Sequence, residues 1–141
     1  MPYTTRVLLV DDSIDDNFIN TRLLRKTGFT AHVEVMKDGL DALAYLRSLA
    51  GAGADAAAES PQVVFLDIRM PRLDGFEFLE EYEKLPADFR RGIVVVVLTS
   101  SLLTQDRERA ADFGSLVHYL VKPLTREKLE ELKDKLTLAR G

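Results

Sequence analysis

No cysteine occurs among the 141 residues, so no disulfide can staple the chain, which is compatible with a reducing compartment. No apolar run approaches the roughly 18 residues that a membrane-spanning helix needs. The opening Met1-Pro2-Tyr3-Thr4-Thr5-Arg6 lacks the apolar stretch of a secretory signal. Positive charge is not in excess: 19 Lys and Arg stand against 23 Asp and Glu, for a net charge of −4. Without a basic field to hold a phosphate backbone, direct nucleic-acid binding is not expected, and protein partners are. No glycine-rich loop follows any apolar run, which removes the phosphate cradle of a nucleotide-binding domain. Internal repeats are absent too. What remains is an ordinary globular composition, 46% hydrophobic and 30% charged. The length suits one domain over residues 1–141, large enough to bury roughly two-thirds of its unfolded surface. A cytoplasmic protein is expected, with no membrane contact.

What is present is an alternation. Strand-like runs occur at Arg6 to Val10, His32 to Met36, Val63 to Leu66, Ile93 to Leu98 and Val117 to Val121, and a helix-like stretch follows each. Ser13 can cap a first helix with Ile14, Phe18, Thr21 and Leu24 near one face, stopping at Thr27-Gly28. Asp38-Gly39 opens a second, with Leu40, Leu43, Ala44 and Ala50 at core spacing. Asp74 and Glu77 form a capping box for a third, which carries Phe76, Leu79 and Tyr82 until Leu85-Pro86 stops it. Phe78 falls off that stripe. Thr104 starts a short polar fourth helix running to Phe113-Gly114, and Thr125 caps a fifth with Leu129, Leu132 and Leu136 buried. Three strands lack polar alternation, so they are covered on both faces: an α/β domain with a parallel sheet between helix layers. Residues 51–60, small and without an apolar stripe, form a loop insertion between the second helix and the third strand.

The chemistry collects at the strand ends. Asp11-Asp12 end the first run, and Asp67 ends the third. If these strands are neighbours, three carboxylates meet at one sheet edge, where repulsion raises their pKa values unless a divalent cation sits among them. Thr99-Ser100-Ser101 end the fourth run and Lys122-Pro123 the fifth, adding hydroxyls and an ammonium.

Asp11-Asp12, the segment Phe65-Leu66-Asp67-Ile68-Arg69-Met70-Pro71 with Asp74-Gly75 after it, Thr99 and Lys122-Pro123 together resemble the receiver domain of bacterial two-component response regulators, over nearly the whole chain. The resemblance implies a flavodoxin-like doubly wound (βα)5 sandwich with strand order 2-1-3-4-5. It implies a stand-alone receiver without an output domain, whose Asp67 accepts a phosphoryl group from a histidine kinase or histidine phosphotransfer protein. It further implies Mg²⁺, with Mn²⁺ able to substitute, held by Asp12 and Asp67, by Asp11 through water, and by the backbone carbonyl of Arg69. Lys122 is then the fixed cation that pairs with Asp67 or with a phosphate oxygen, and Pro123 follows a cis bond that aims it inward. Thr99 and Tyr119 are the coupled switch pair, and small Ser100 leaves the pocket accessible. Arg69 and Ser101 hold positions that influence how fast the acyl phosphate hydrolyses. The face made by the fourth helix, fifth strand and fifth helix is expected to bind a downstream protein, and a homodimer is compatible with it.

Other residues need no special role. Asp15 and Asp16 complement the dipole of the first helix, and His32 and His118 lack partners at metal-ligand spacing. The runs from Asp106 to Arg109 and from Glu127 to Lys135 are expected to be solvated helix faces. Two rivals remain. A haloacid-dehalogenase-like phosphatase also uses an aspartate nucleophile and Mg²⁺, but it expects a second aspartate where this chain has Arg69. A receiver-shaped scaffold that is never phosphorylated would not need all five site positions intact.

Overall fold

Apolar runs flanked by capping and turn residues set the elements of the computed structural model, which describes residues 4–52, 60–113 and 116–140. In chain order they are β1 (Thr4–Val10), α1 (Ile14–Lys26), β2 (Thr30–Met36), α2 (Gly39–Ala52), β3 (Val63–Leu66), α3 (Gly75–Tyr82), α4 (Ala87–Arg90), β4 (Val94–Thr99), α5 (Thr104–Ala111), β5 (Leu116–Val121) and α6 (Arg126–Arg140). All strand pairings are parallel, in the order β2-β1-β3-β4-β5. The doubly wound order expected from the resemblance therefore holds, and β1 lies beside β3 with Val10 opposite Leu66. That register puts Asp11 and Asp67 at the same sheet edge, and the Asp67 N–H donates to the Val10 carbonyl at 2.9 Å.

Two apolar layers hold the sheet. One gathers α2 and α3 against Leu8, Val10, Val64 and Leu66; the other gathers α1 and α6 against Val7, Leu9, Val63 and Phe65. The alternating faces of β1 and β3 thus feed opposite layers, and so both strands are apolar throughout. Leu129, Leu132 and Leu136 are buried on α6 as expected, and Thr125 Oγ1 caps that helix by accepting from the Lys128 N–H at 3.1 Å.

Several expectations need correction. A one-turn helix, α4, follows Pro86, which was expected only to stop α3; proline's fixed φ also suits the start of a helix. The expected fourth and fifth helices are consequently α5 and α6. On α2 the buried set is Ala42, Leu43, Leu46 and Leu49, while Leu40 and Ala44 are exposed. Leu40 to Ala50 is apolar on more than one side, so periodicity alone allowed the wrong stripe. On α1 the reversal is larger: Asn17, Asn20 and Leu24 face inward, and Ile14 and Phe18 are 67% and 64% exposed. Phe78, off the expected stripe of α3, is fully buried and stacks on Tyr82 with ring centroids 6.1 Å apart. Of the expected insertion, Gly51 and Ala52 end α2, and residues 53–59 lie outside the described residues.

Candidate functional site

The acidic pocket is built by the loops after β1 and β3. Ligand oxygens of Asp11, Asp12 and Asp67 all lie within 4.8 Å of one another, with Asp11 and Asp67 buried and Asp12 exposed. Two unit charges at such a spacing in a partly buried place repel by roughly 3 kcal/mol, so the backbone must hold them together. It does so in both loops. Asp11 Oδ1 accepts from the Ser13 N–H at 2.9 Å, and its carbonyl accepts from Asn17 Nδ2 at 2.8 Å. Asp67 Oδ1 accepts from the Arg69 N–H at 3.1 Å. Gly75 lets α3 start directly against this loop, since a Cβ there would come within 2.5 Å of Ile68 Cα and 2.8 Å of the Asp67 carbonyl. Burial pushes the Asp11 carboxyl above the usual range, and the hydrogen bonds from Lys122 and Ser13 only partly offset this.

Lys122 enters from β5, and its own N–H donates to the Thr99 carbonyl at 2.8 Å. The Lys122–Pro123 peptide bond is cis. Lys128 Nζ donates to the carbonyls of Val121 and Pro123 at 2.6 and 2.7 Å, tying α6 to both ends of this turn. Lys122 Nζ reaches Asp11 Oδ2 at 2.6 Å, Asp16 Oδ2 at 2.7 Å and Asp67 Oδ2 at 3.4 Å. Burial works against the ammonium charge, but the hydrogen bonds to Asp11 and Asp16 and the nearby Asp67 outweigh it and hold the pKa above the ordinary lysine value. Asp16 is therefore more than a helix-dipole acid. No local signal could have revealed this, because its partner is 106 residues away.

A second polar cluster adjoins the pocket. Thr99 is fully buried, and its Oγ1 accepts from the Ser101 N–H at 3.3 Å. Ser101 Oγ donates to Asp106 Oδ2 at 2.5 Å, and the Arg69 guanidinium donates to the same oxygen. Tyr119 is half-buried against Ile68, Phe76, Val97 and Ala110; its hydroxyl donates to the Ser101 carbonyl at 3.4 Å, and the Arg107 guanidinium lies 5.2 Å from its ring centroid. Asp106 is only 8% exposed, so the run from Asp106 to Arg109 is not simply a solvated face. Ser100 and Pro123 are exposed. Neither histidine joins the acidic group; His32 Nε2 instead lies 3.4 Å from a Glu34 carboxylate oxygen.

The family model of the response regulator receiver domain matches residues 7–134. The chain belongs to this family. The receiver is 37% identical over 132 residues to a probable methanogenesis regulatory protein, FilR2, of Methanothrix harundinacea, covering 91% of this chain and 81% of that protein. Its fold matches a two-component response regulator from Cytophaga hutchinsonii with a TM-score of 0.83 at 29% identity, over 96% of this chain and 98% of that one. It also matches the receiver domain of sensor histidine kinase PA1611 from Pseudomonas aeruginosa PAO1, with a TM-score of 0.71 at 26% identity over 94% and 96% of the two chains. That structure has a magnesium ion coordinated in its active-site cleft. Hybrid and sensor histidine kinases are also relatives, but the receiver spans only 7%, 12% and 14% of the length of three of them. Receivers are signalling domains of two-component systems rather than turnover enzymes, and no described helix here is long and apolar enough to cross a membrane.

The donor set fits a hard divalent cation. Three converging carboxylates, with no sulfur or imidazole among them, are oxygen ligands of the kind Mg²⁺ prefers. Repulsion from Asp67, which adds to burial in raising the Asp11 pKa, is what such an ion would relieve.

Proposed function

We propose that the protein is a phosphorylation-controlled binding switch in which Asp67 is the phosphoacceptor. The observation that carries this reading is the meeting of one lysine with the acidic group: Lys122 Nζ lies 2.6 Å from Asp11 and 3.4 Å from Asp67, residues 111 and 55 positions away in the chain. In the proposed transfer, an Asp67 carboxylate oxygen attacks the phosphorus of a phosphohistidine on a histidine kinase or histidine phosphotransfer protein. The new P–O bond forms as the donor's P–N bond breaks, and the electron pair of the broken bond stays with the imidazole. Asp11, Asp12, Asp67 and the carbonyl of Arg69 would hold Mg²⁺, with Mn²⁺ as substitute. When bound, the ion neutralises charge between the carboxylate and the phosphoryl oxygens.

The chain's own residues do the rest. Lys122 leaves Asp11 and Asp16 for a phosphoryl oxygen, supplying a charge-assisted hydrogen bond. Thr99 turns its hydroxyl toward another, which opens room for Tyr119 to rotate inward and reshape the face of α5, β5 and α6, where a downstream protein or a second copy would bind. Ser100 is small enough to leave the entrance clear. The phosphodonor docks over the exposed apolar surface of α1: Phe18, Ile19 and Leu23 line a shallow groove of about 360 Å³ together with Leu124, Arg22 and Lys26. We regard the chain as a single receiver domain, acting in the cytoplasm where ATP-fed kinases supply the phosphoryl group.

The test is direct. Incubation with Mg²⁺ and acetyl phosphate or beryllofluoride should give a mass shift or NMR changes centred on Asp67, lost in Asp67→Asn and after metal removal. An adduct that persists in Asp67→Asn, or none in the wild type, ends this reading.

A further inference from the structure

Arg69 bridges two parts of the molecule. Its backbone N–H binds the Asp67 carboxylate, while its guanidinium extends to Asp106 in the first turn of α5. Asp106 also accepts from the Ser101 hydroxyl at 2.5 Å. Ser101 in turn touches both switch residues: its N–H donates to Thr99 Oγ1 and its carbonyl accepts from the Tyr119 hydroxyl. A single carboxylate on α5 thus clasps the acceptor loop and the loop after β4, and through them fixes Thr99 and Tyr119. Because Asp106 is nearly buried, its charge needs those partners; stripped of them it would be an uncompensated buried anion.

A phosphoryl group at Asp67 would place a charge of about −1.5 to −2 beside the start of the Arg69 side chain. Two anions would then compete for one guanidinium, and the phosphoryl group offers the greater charge and more acceptor oxygens. We propose that Arg69 is a relay: held by Asp106 in the resting state, it swings to the phosphoryl oxygens when Asp67 is occupied, and Asp106, whose charge cannot stay buried without its cation, turns out toward water with the start of α5 and so leaves Ser101 and Tyr119. Asp106 is accordingly a positioning residue that sets the resting population of the switch. This rests on the phosphoacceptor reading and adds the element that carries occupancy of Asp67 to the α5 face.

Linkage fixes the expected sign. A clasp that stabilises the resting form lowers the apparent affinity for anything that binds the released form. Asp106→Asn keeps the shape and a hydrogen-bond acceptor for Ser101 but loses the charge that holds Arg69. The experiment is a titration with beryllofluoride in Mg²⁺, followed by NMR of the Tyr119 ring and the α5 amides, for wild type, D106N, R69A and the double variant. D106N is expected to bind beryllofluoride about five- to tenfold more tightly, and the gain should vanish in the R69A background, where no guanidinium is left to free. Without beryllofluoride, R69A should show Tyr119 and α5 resonances already displaced toward their bound positions. A merely structural aspartate would leave affinity unchanged or weaken it. The relay is overturned if D106N binds no more tightly than wild type, if the gain survives R69A, or if the R69A spectrum stays at the resting positions. A wild type that binds no beryllofluoride removes the phosphoacceptor reading and the relay together; a binding wild type with an unresponsive D106N removes the relay alone.

Discussion

Helices α1 and α3 pack on opposite faces of the sheet and use their side chains in opposite ways. Helix α3 turns Phe76, Phe78, Leu79 and Tyr82 inward. Helix α1 turns Asn17 and Asn20 inward beside Leu24, and leaves Ile14, Phe18 and Ile19 outside. By burial alone α1 is inverted, since apolar side chains gain about 1.5–3 kcal/mol each on full burial and a buried amide needs a partner. The inversion has a local reason. Asn17 Nδ2 holds the Asp11 carbonyl at 2.8 Å, and Asp16 on the same helix holds Lys122. Helix α3 serves the core, whereas α1 serves the acidic pocket and presents an apolar surface beside it.

This contrast can be broken in four places. Phe78→Ala should cost most, about 3–5 kcal/mol for a large buried aromatic, read as a drop in the urea midpoint at unchanged slope; a loss under 1 kcal/mol would mean α3 is not the core helix it looks to be. Asn17→Ala should cost about 1–3 kcal/mol by leaving a buried carbonyl without its donor, and it should also weaken Mg²⁺ binding, measured by calorimetry, because the Asp11 loop loses its tether. Retained metal affinity would show that α1 does not organise the pocket. Phe18→Ala should change stability by no more than about 0.5 kcal/mol, yet slow phosphotransfer from a protein donor while leaving acetyl phosphate labelling intact; equal slowing with both donors would remove α1 as a docking face.

The smallest effect lies in α3 itself. The hydroxyl of Tyr82 is buried without a hydrogen-bond partner, and burial pushes its pKa well above the ordinary tyrosine value, the nearby Arg90 offsetting only part. The folded state therefore holds this proton when the unfolded chain has lost it. The resulting stability is complete below the unfolded pKa of about 10 and is lost as pH rises from there toward the folded value. Tyr82→Phe should be neutral or slightly stabilising at pH 7 and should flatten the decline of melting temperature above about pH 10. An unchanged alkaline slope would show that the hydroxyl is not sealed in.

Legibility in the sequence followed the range of the forces involved. Caps were readable because donor and acceptor lie three residues apart: Ser13 accepts from the Asp16 N–H, and the Asp74–Glu77 box is complete. The stripe on α6 was readable because leucines recur at helical spacing with charged residues between them. The stripe on α1 misleads because periodicity assumes that apolar side chains choose the inner face, and near a polar site they need not; the stripe on α2 misleads because that helix is apolar on more than one side. Asp16 reads as a helix-dipole acid, and Asp106 and Lys128 as solvated charges, because their partners come from other elements.

By itself, the sequence determined an alternating α/β chain whose acids, hydroxyl and lysine stand at strand ends, because strand period, helix period and turn chemistry act between residues close in the chain. Only the tertiary structure decided that Lys122 is shared among three aspartates, that Arg69 and Ser101 meet on Asp106, and that α1 keeps its apolar side outward. Those outcomes depend on strands and helices brought together across many tens of residues, where a charge finds whichever partner the packing offers.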